Sequence, residues 1–319
     1  MEENFVKLIK RISEDYEDNK YMNYIKYIQF PKYKNLTDGS RIEFNFPLTM
    51  LVGKNGTGKS SVLQAIYGCP QNKSTGDYWF STDVDPIEDG KNKYFYGYQK
   101  NSETGIKEVI KKRQNSAKSP DYWETDALDV KVGMKPDYNL DKETRNNPVE
   151  KNVVYFDFRG ELSAFDKYFH FYKTKTDHKV RMFEQKNKES KEYVKKQSKL
   201  LNRALKGEKV AYFNHPENIL HDDLEVIDMK NGREKIEAIN FILGKEYIEI
   251  RRIYHRIYQS WGNSVLLQTK NGLQYSEANA GSGENAIINM VCAIMDAKRD
   301  SLILLDEPEV SLHPSAQIK

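Results

Sequence analysis

Residues 46–60 read Phe46-Pro47-Leu48-Thr49-Met50-Leu51-Val52-Gly53-Lys54-Asn55-Gly56-Thr57-Gly58-Lys59-Ser60, an apolar run that ends in a glycine-rich octet. The run predicts a short buried strand, and the octet has the pattern G-x-x-x-x-G-K-[ST]. Ser61 to Tyr67 follows with Val62, Leu63 and Ile66 on one helical face. Strand, loop and helix in that order make a phosphate-binding device. Glycines let successive backbone N–H groups turn toward one point, and the helix N-terminus adds the positive end of its dipole. Gly53, Lys54, Asn55, Gly56, Thr57, Gly58, Lys59, Ser60 and Ser61 are therefore the candidate nucleotide-binding residues. Lys59 is placed to reach the β- and γ-phosphates of ATP, and the Ser60 hydroxyl to ligate Mg²⁺.

A second motif lies far downstream. Ser301-Leu302-Ile303-Leu304-Leu305 is a continuous apolar run, which predicts a strand buried on both faces, and it ends in Asp306-Glu307-Pro308. A carboxylate at the tip of such a strand, beside a phosphate loop, is what Mg²⁺ needs, so Asp306 is the second candidate metal residue. Glu307, one residue on, is the candidate catalytic base that polarises an attacking water. Lys59 and Asp306 stand 247 positions apart. That gap is wide for AAA+ motors and small GTPases, and it suits a head that carries long insertions.

Ala280-Gly281-Ser282-Gly283-Glu284 precedes a predicted amphipathic helix with Ile287, Ile288, Val291, Ile294 and Met295 on its buried side. Gly283 lies 23 residues before Asp306. This loop resembles the ABC signature, in which helix-terminal N–H groups and a small hydroxyl bind the γ-phosphate held by the other subunit. The resemblance makes Gly281, Ser282, Gly283 and Glu284 candidate nucleotide-binding residues, with Ser282 supplying the hydroxyl; the alternative is a glycine-rich turn capping an ordinary helix. Gly281 stands where the usual serine would be, and Glu284 where many transporters have glutamine.

Ile25 to Phe30, Arg41 to Phe46 and the phosphate loop together look like the opening of RecF-like, SMC-like and OLD-like ATPases. Leu304 to Pro314, LLDEPEVSLHP, is similar to the acidic strand and following loop of stand-alone AAA family ATPases found beside phage-defence effectors of the Septu or Paris kind. The resemblance covers both ends of the chain. It implies an α/β P-loop NTPase of ABC type, with a mixed central sheet, an antiparallel β layer and a helical insertion. It also implies ATP and Mg²⁺ as cofactors, a homodimer closed through ATP, and Ser311-Leu312-His313 as the loop that crosses the dimer interface. An effector nuclease or toxin subunit and double-stranded DNA are the further partners it suggests. In such heads another strand and a switch histidine follow, whereas Lys319 lies only twelve residues past Glu307, so a fragment or truncated product is expected. His313 suits a structural role in its loop better than that of the switch histidine. A nucleotide-sensing scaffold without turnover and a transporter ATPase subunit are the alternative readings.

Between the motifs, Lys93–Tyr98 and Gly105–Ile110 predict a β-hairpin turning at residues 101–104, and Val153–Phe158 predicts a core strand. Gln99 and Gln114 are possible lateral-loop glutamines. Residues 173–209 turn helical and basic, with thirteen Lys/Arg against five Asp/Glu. Such a run is either a solvated helical face or the footprint of a phosphate-backbone binder. Asp222-Asp223 marks the return to the head, followed by a helix over Glu234–Leu243 and strands around turns at Gly262-Asn263 and Asn271-Gly272. The expected organisation is a helix over 1–20, a first head lobe over 21–172, the basic insertion over 173–232, and the signature and acidic-strand part over 233–319.

Composition sets the outer limits. With 38% hydrophobic and 30% charged residues the chain has core-forming material and is not a disordered one. No eighteen apolar residues run together, and the acidic N-terminus is no secretory signal, so a cytoplasmic protein off the membrane is expected. Cys69 and Cys292 are the only cysteines, and both read as reduced core thiols.

Overall fold

The computed structural model describes residues 2–88, 90–100, 105–116, 119–135, 145–171, 181–212, 215–219, 224–259 and 261–309. The expected turn at 101–104, residues 173–180 of the basic run, Asp222-Asp223 and Ser311-Leu312-His313 lie outside the described residues. The chain divides into two compact units, residues 1–155 with 298–306 and residues 156–297 with 307–319. Among the described residues no helix is long and apolar enough to cross a membrane.

The first unit opens with α1 (Glu2–Glu17) and builds a five-stranded antiparallel sheet. Its strands are β1 (Tyr24–Lys32), β2 (Ser40–Glu43), β3 (Lys93–Gln99), β4 (Ile106–Ser116) and β5 (Ser119–Asp126), in the order β2-β1-β3-β4-β5. β3 and β4 form the expected hairpin, with Tyr96 opposite Val109. Helix α2 (Lys59–Tyr67) buries Val62, Ala65 and Ile66, one stripe at i, i+3 and i+4. These join Ile28, Phe30, Tyr33, Tyr94, Tyr96, Trp123 and Leu304 in one aromatic-rich core. Cys69 lies inside it as a free thiol, and burial pushes its pKa up.

One expectation in this unit fails, because a strand is made by its ladder and not by apolarity alone. Residues 44–54 form no strand, and β2 stops at Glu43. In the run before the phosphate loop Leu48, Met50 and Val52 are 70%, 81% and 82% exposed, while Leu51 packs against the core. Only Leu51 of this run turns to the core, and no described strand covers the rest.

Strand β6 (Val153–Asp157) crosses from the first unit into the second. The second unit continues with α3 (Ala164–Asp166), a π-helical turn at Lys167–Phe171, and α4 (Arg181–Leu205). Then come β7 (Ala211–Tyr212), β8 (His215–Ile219), β9 (Leu224–Asp228), α5 (Arg233–Leu243), β10 (Tyr247–His255), β11 (Gly262–Thr269), β12 (Gln274–Ser276) and α6 (Ser282–Met295). β9 to β12 form an antiparallel sheet in the order β12-β11-β10-β9. Leu201, Ala204 and Leu205 at the end of α4 pack on Ile253, Ile257 and Tyr258. The expected turn at Asn271-Gly272 is present, with Gly272 at φ +85°. Gly262 is instead the first residue of β11, opposite His255. Its missing side chain serves packing, since a Cβ there would lie 2.8 Å from the Ala164 nitrogen. Along α6, Ile287, Ile288 and Val291 are buried as expected, but Met295, the last residue, is exposed. Cys292 on the same helix is a buried free thiol.

Beneath this sheet lies a buried polar chain. His255 Nε2 is 2.8 Å from Ser264 Oγ, and Ser264 in turn donates to Glu277 Oε1 at 2.5 Å. His255 Nδ1 accepts from the Ile257 amide, so the ring proton belongs on Nε2. Burial pushes the imidazole down to about 4 and the Glu277 carboxyl up to about 7.

The chain returns to the first unit as β13 (Leu302–Asp306), which pairs with β6 apart from the two larger sheets. Ile303 is 38% exposed, so β13 is covered on one face, at Leu304, and not on both. The ladders of the two larger sheets are antiparallel. The expected mixed central sheet is thus not formed among the described residues, since the run before the phosphate loop joins no ladder.

Candidate functional site

In the first unit the octet Gly53–Ser60 is the tight loop its composition predicts. Gly56 and Gly58 have φ of +79° and +92°, and Gly58 caps α2. At position 58 the need for glycine is double: the backbone is left-handed, and a Cβ would lie 2.4 Å from Leu36 Cδ2. Thr57 closes the turn, its hydroxyl donating to the Lys54 carbonyl at 2.8 Å. Lys54, Asn55, Gly56 and Thr57 are exposed, while Ser60 and Ser61 are half-buried in the first turn of α2. The Lys59 ammonium curls over the loop and donates to the carbonyls of Gly53 and Lys54 at 2.9 and 3.1 Å. A cation held by its own loop needs only a side-chain swing to meet a phosphate.

Beside the loop stands Asp306, 3% exposed at the end of β13. Ser60 Oγ donates to its Oδ1 at 2.9 Å, and the Tyr155 hydroxyl on β6 donates to its Oδ2 at 2.9 Å. A buried carboxylate and a serine hydroxyl in contact form an oxygen-only donor set, which fits a hard cation such as Mg²⁺. Two supports were not foreseen from sequence. Asn35 Nδ2 approaches the Gly56 carbonyl at 3.5 Å, and Lys34 Nζ donates to Gln64 Oε1 on α2 at 2.7 Å. Burial lowers the Lys34 pKa to about 8.

The second unit holds the other candidates. Glu307 has a left-handed backbone, φ +52°, and its Oε2 lies 3.6 Å from Arg159 Nε. Arg159 is itself tied to Asp157 Oδ1 through its backbone N–H and its Nε at 3.0 and 3.1 Å. Only the position of Arg159, just past a predicted strand, hinted at it in the sequence. At the start of α6, Gly281 is the N-cap without a side-chain cap, and Gly281 and Ser282 are exposed while Gly283 is buried. Glu284 turns inward. It accepts from the hydroxyls of Tyr247 and Tyr275 and pairs with Lys245 Nζ at 2.8 Å. Burial opposes its ionisation, yet Lys245 and the two phenols outweigh it and hold its pKa below the ordinary value. Glu284 therefore anchors the loop, and Ser282 is left exposed at its tip.

Comparison with protein-family models matches residues 48–318 to the family described as AAA domain, putative AbiEii toxin, Type IV TA system. The chain belongs to this family. It is an AAA-type P-loop ATPase domain of α/β fold, a family that generally binds and hydrolyses ATP with Mg²⁺. A search of curated proteins finds no match. In this AAA domain Lys59, Ser60 and Asp306 are the residues suited to the triphosphate and its cation, and the Ser60–Asp306 bond brings the two sequence motifs together.

Proposed function

We propose that this AAA domain is an ATP-driven switch of the ABC-type, SMC-like class, which closes head to head on ATP as a homodimer and reopens after hydrolysis. The observation that carries this is the hydrogen bond from Ser60 to the buried Asp306, which sets the phosphate loop against the acidic strand. The bound cation would neutralise phosphate charge, as Mg²⁺ does in such sites. The backbone N–H groups of residues 53–59 cradle the phosphates, Lys59 meets their terminal oxygens, and Glu307 takes the proton of the attacking water. The exposed Ser282 and the N-terminus of α6 suit a phosphate offered by a second copy.

The SMC-like, OLD-like and Septu- or Paris-like resemblance favours anti-phage defence or DNA maintenance in the cytoplasm. The matched family's description, with its putative toxin and type IV toxin–antitoxin system, supports an effector toxin or nuclease as partner. On α4, Lys191, Lys195, Lys196 and Lys199 are exposed, three of them four residues apart on one face. That spacing supports binding to the backbone of double-stranded DNA, with affinity falling steeply as salt rises. Nucleotide sensing without turnover is a second reading, favoured by the Arg159–Glu307 pair, which gives the candidate base another partner. Steady-state ATP hydrolysis by the purified chain tests both. Mg²⁺-dependent turnover that Glu307→Gln abolishes supports the switch, and tight ATP binding without turnover supports the sensor.

A further inference from the structure

Tyr155 plays no part in the reading above, yet its hydroxyl donates to the second oxygen of Asp306. We infer that Tyr155 is a positioning residue that fixes the Asp306 carboxylate and thereby prepares Ser60 for the cation; the inference rests on the nucleotide–Mg²⁺ reading of this site. A carboxylate held through one oxygen can still rotate about its Cβ–Cγ bond. Asp306 is held through both, by Ser60 on Oδ1 and by Tyr155 on Oδ2, each at 2.9 Å. Being 3% exposed, it has little access to solvent for a substitute donor. When the Ser60 hydroxyl directs its hydrogen bond to Asp306, the serine lone pairs are left free for a hard cation. The Tyr155 hydroxyl keeps the carboxylate turned so that this hydrogen bond keeps its acceptor.

The phenol is itself fixed. Its ring centroid lies 4.8 Å from that of Tyr78 and 5.8 Å from that of Tyr67, and those two rings are 4.9 Å apart. Tyr67 is the last residue of α2, the helix whose second residue is Ser60. One helix thus carries the serine at its start and braces the tyrosine at its end. Tyr67 is anchored in turn by a 3.0 Å hydrogen bond from its hydroxyl to Asp77 Oδ2. Ser60, Asp306 and Tyr155 form a triangle braced by aromatic packing, an arrangement by which outer partners of a metal site govern its affinity.

Tyr155→Phe keeps the ring and removes the hydroxyl. Binding of a fluorescent ATP analogue is measured in EDTA and across a Mg²⁺ titration, beside steady-state hydrolysis. Affinity in EDTA should match the parent within about twofold, while the Mg²⁺ concentration for half-maximal binding should rise about tenfold, as loss of an outer-sphere partner does. Tyr67→Leu, which removes the brace but leaves the hydroxyl, should shift the same midpoint about threefold, the worth of one aromatic contact. It carries the test should Tyr155→Phe not fold. An unchanged Mg²⁺ midpoint in the folded variant, with a parent that binds nucleotide in a Mg²⁺-dependent way, overturns the role of Tyr155. A parent whose nucleotide binding ignores Mg²⁺ overturns instead the reading on which it rests.

Discussion

Ser60 and Asp306, 246 positions apart, are joined by a 2.9 Å hydrogen bond from the serine hydroxyl to Oδ1 of the carboxylate. The serine lies in the first turn of α2 and the aspartate ends β13, so this contact forms only after distant stretches of the chain have come together. It places a hydroxyl and a buried carboxylate at the mouth of a loop whose one inward-curled cation is Lys59. Predictions for the site follow from how each of these groups is held.

Lys59→Ala removes the ammonium that now bridges the Gly53 and Lys54 carbonyls. Charge-assisted hydrogen bonds contribute about 1.5–3 kcal/mol each, so ATP affinity should fall at least about tenfold. Equilibrium binding of labelled ATP to variant and parent measures it, and unchanged affinity removes the phosphate-loop assignment.

Gly58→Ala tests the loop's backbone. The position is left-handed at φ +92°, and an added Cβ would lie 2.4 Å from Leu36. Strain of this kind costs about 1–3 kcal/mol, to be read as a lower denaturation midpoint, with ATP affinity lost in parallel. A variant as stable as the parent and equally tight for ATP would show that the loop has another shape in solution.

Glu307→Gln keeps the shape of the side chain and removes the base. Hydrolysis should fall by about 10²–10⁴-fold while ATP binding persists. In a head that closes on ATP, light scattering should then detect an ATP-dependent gain in mass that Ser282→Arg cancels. No gain, in a chain shown to bind ATP, would reduce residues 281–284 to an ordinary helix cap.

Glu277→Gln tests the buried chain under the second sheet. Glu277 is raised to about 7, so as pH rises from the ordinary carboxyl value of 4.5 to 7 the folded protein holds a proton that the unfolded chain releases, and stability is lost. His255 is lowered to about 4 from 6.5, so its stability contribution is lost in the other direction, as pH falls through 6.5 toward 4. In the parent the two trends offset each other between about pH 4.5 and 6.5. With glutamine at 277 only the histidine trend remains. Relative to the parent, the variant should gain about 3 kcal/mol between pH 4.5 and 7, by urea denaturation at several pH values. A pH-independent difference would mean that Glu277 titrates as an exposed carboxyl does.

Reversing Lys191, Lys195, Lys196 and Lys199 to Glu tests the basic helix. If α4 tracks a phosphate backbone, duplex DNA binding should weaken and its logarithmic salt dependence should flatten by about 0.9 for each phosphate no longer neutralised. Equal binding by variant and parent, followed by fluorescence anisotropy across a salt series, would return the run to a solvated helical face.

What the sequence determined by itself was local chemistry. The octet at 53–60, the helix behind it, the β3–β4 hairpin and the helix after Gly281 each follow from residues a few positions apart, through glycine's conformational freedom, capping and periodicity. Their readings needed no partner from elsewhere in the chain. Tertiary structure decided whatever depends on a neighbour. Leu48 to Val52 is as apolar as a core strand, yet no described ladder accepts it; Ile303 shows one uncovered face of β13; Glu284, polar and near a glycine loop, spends its carboxylate on Lys245 and two tyrosines. Tyr155 carried no signal in an apolar stretch where a tyrosine is ordinary, and its role comes only from the strand beside it, which delivers Asp306 to its hydroxyl. Hydrogen bonding and burial between residues far apart in the chain are set by packing, and periodicity in one segment does not encode them.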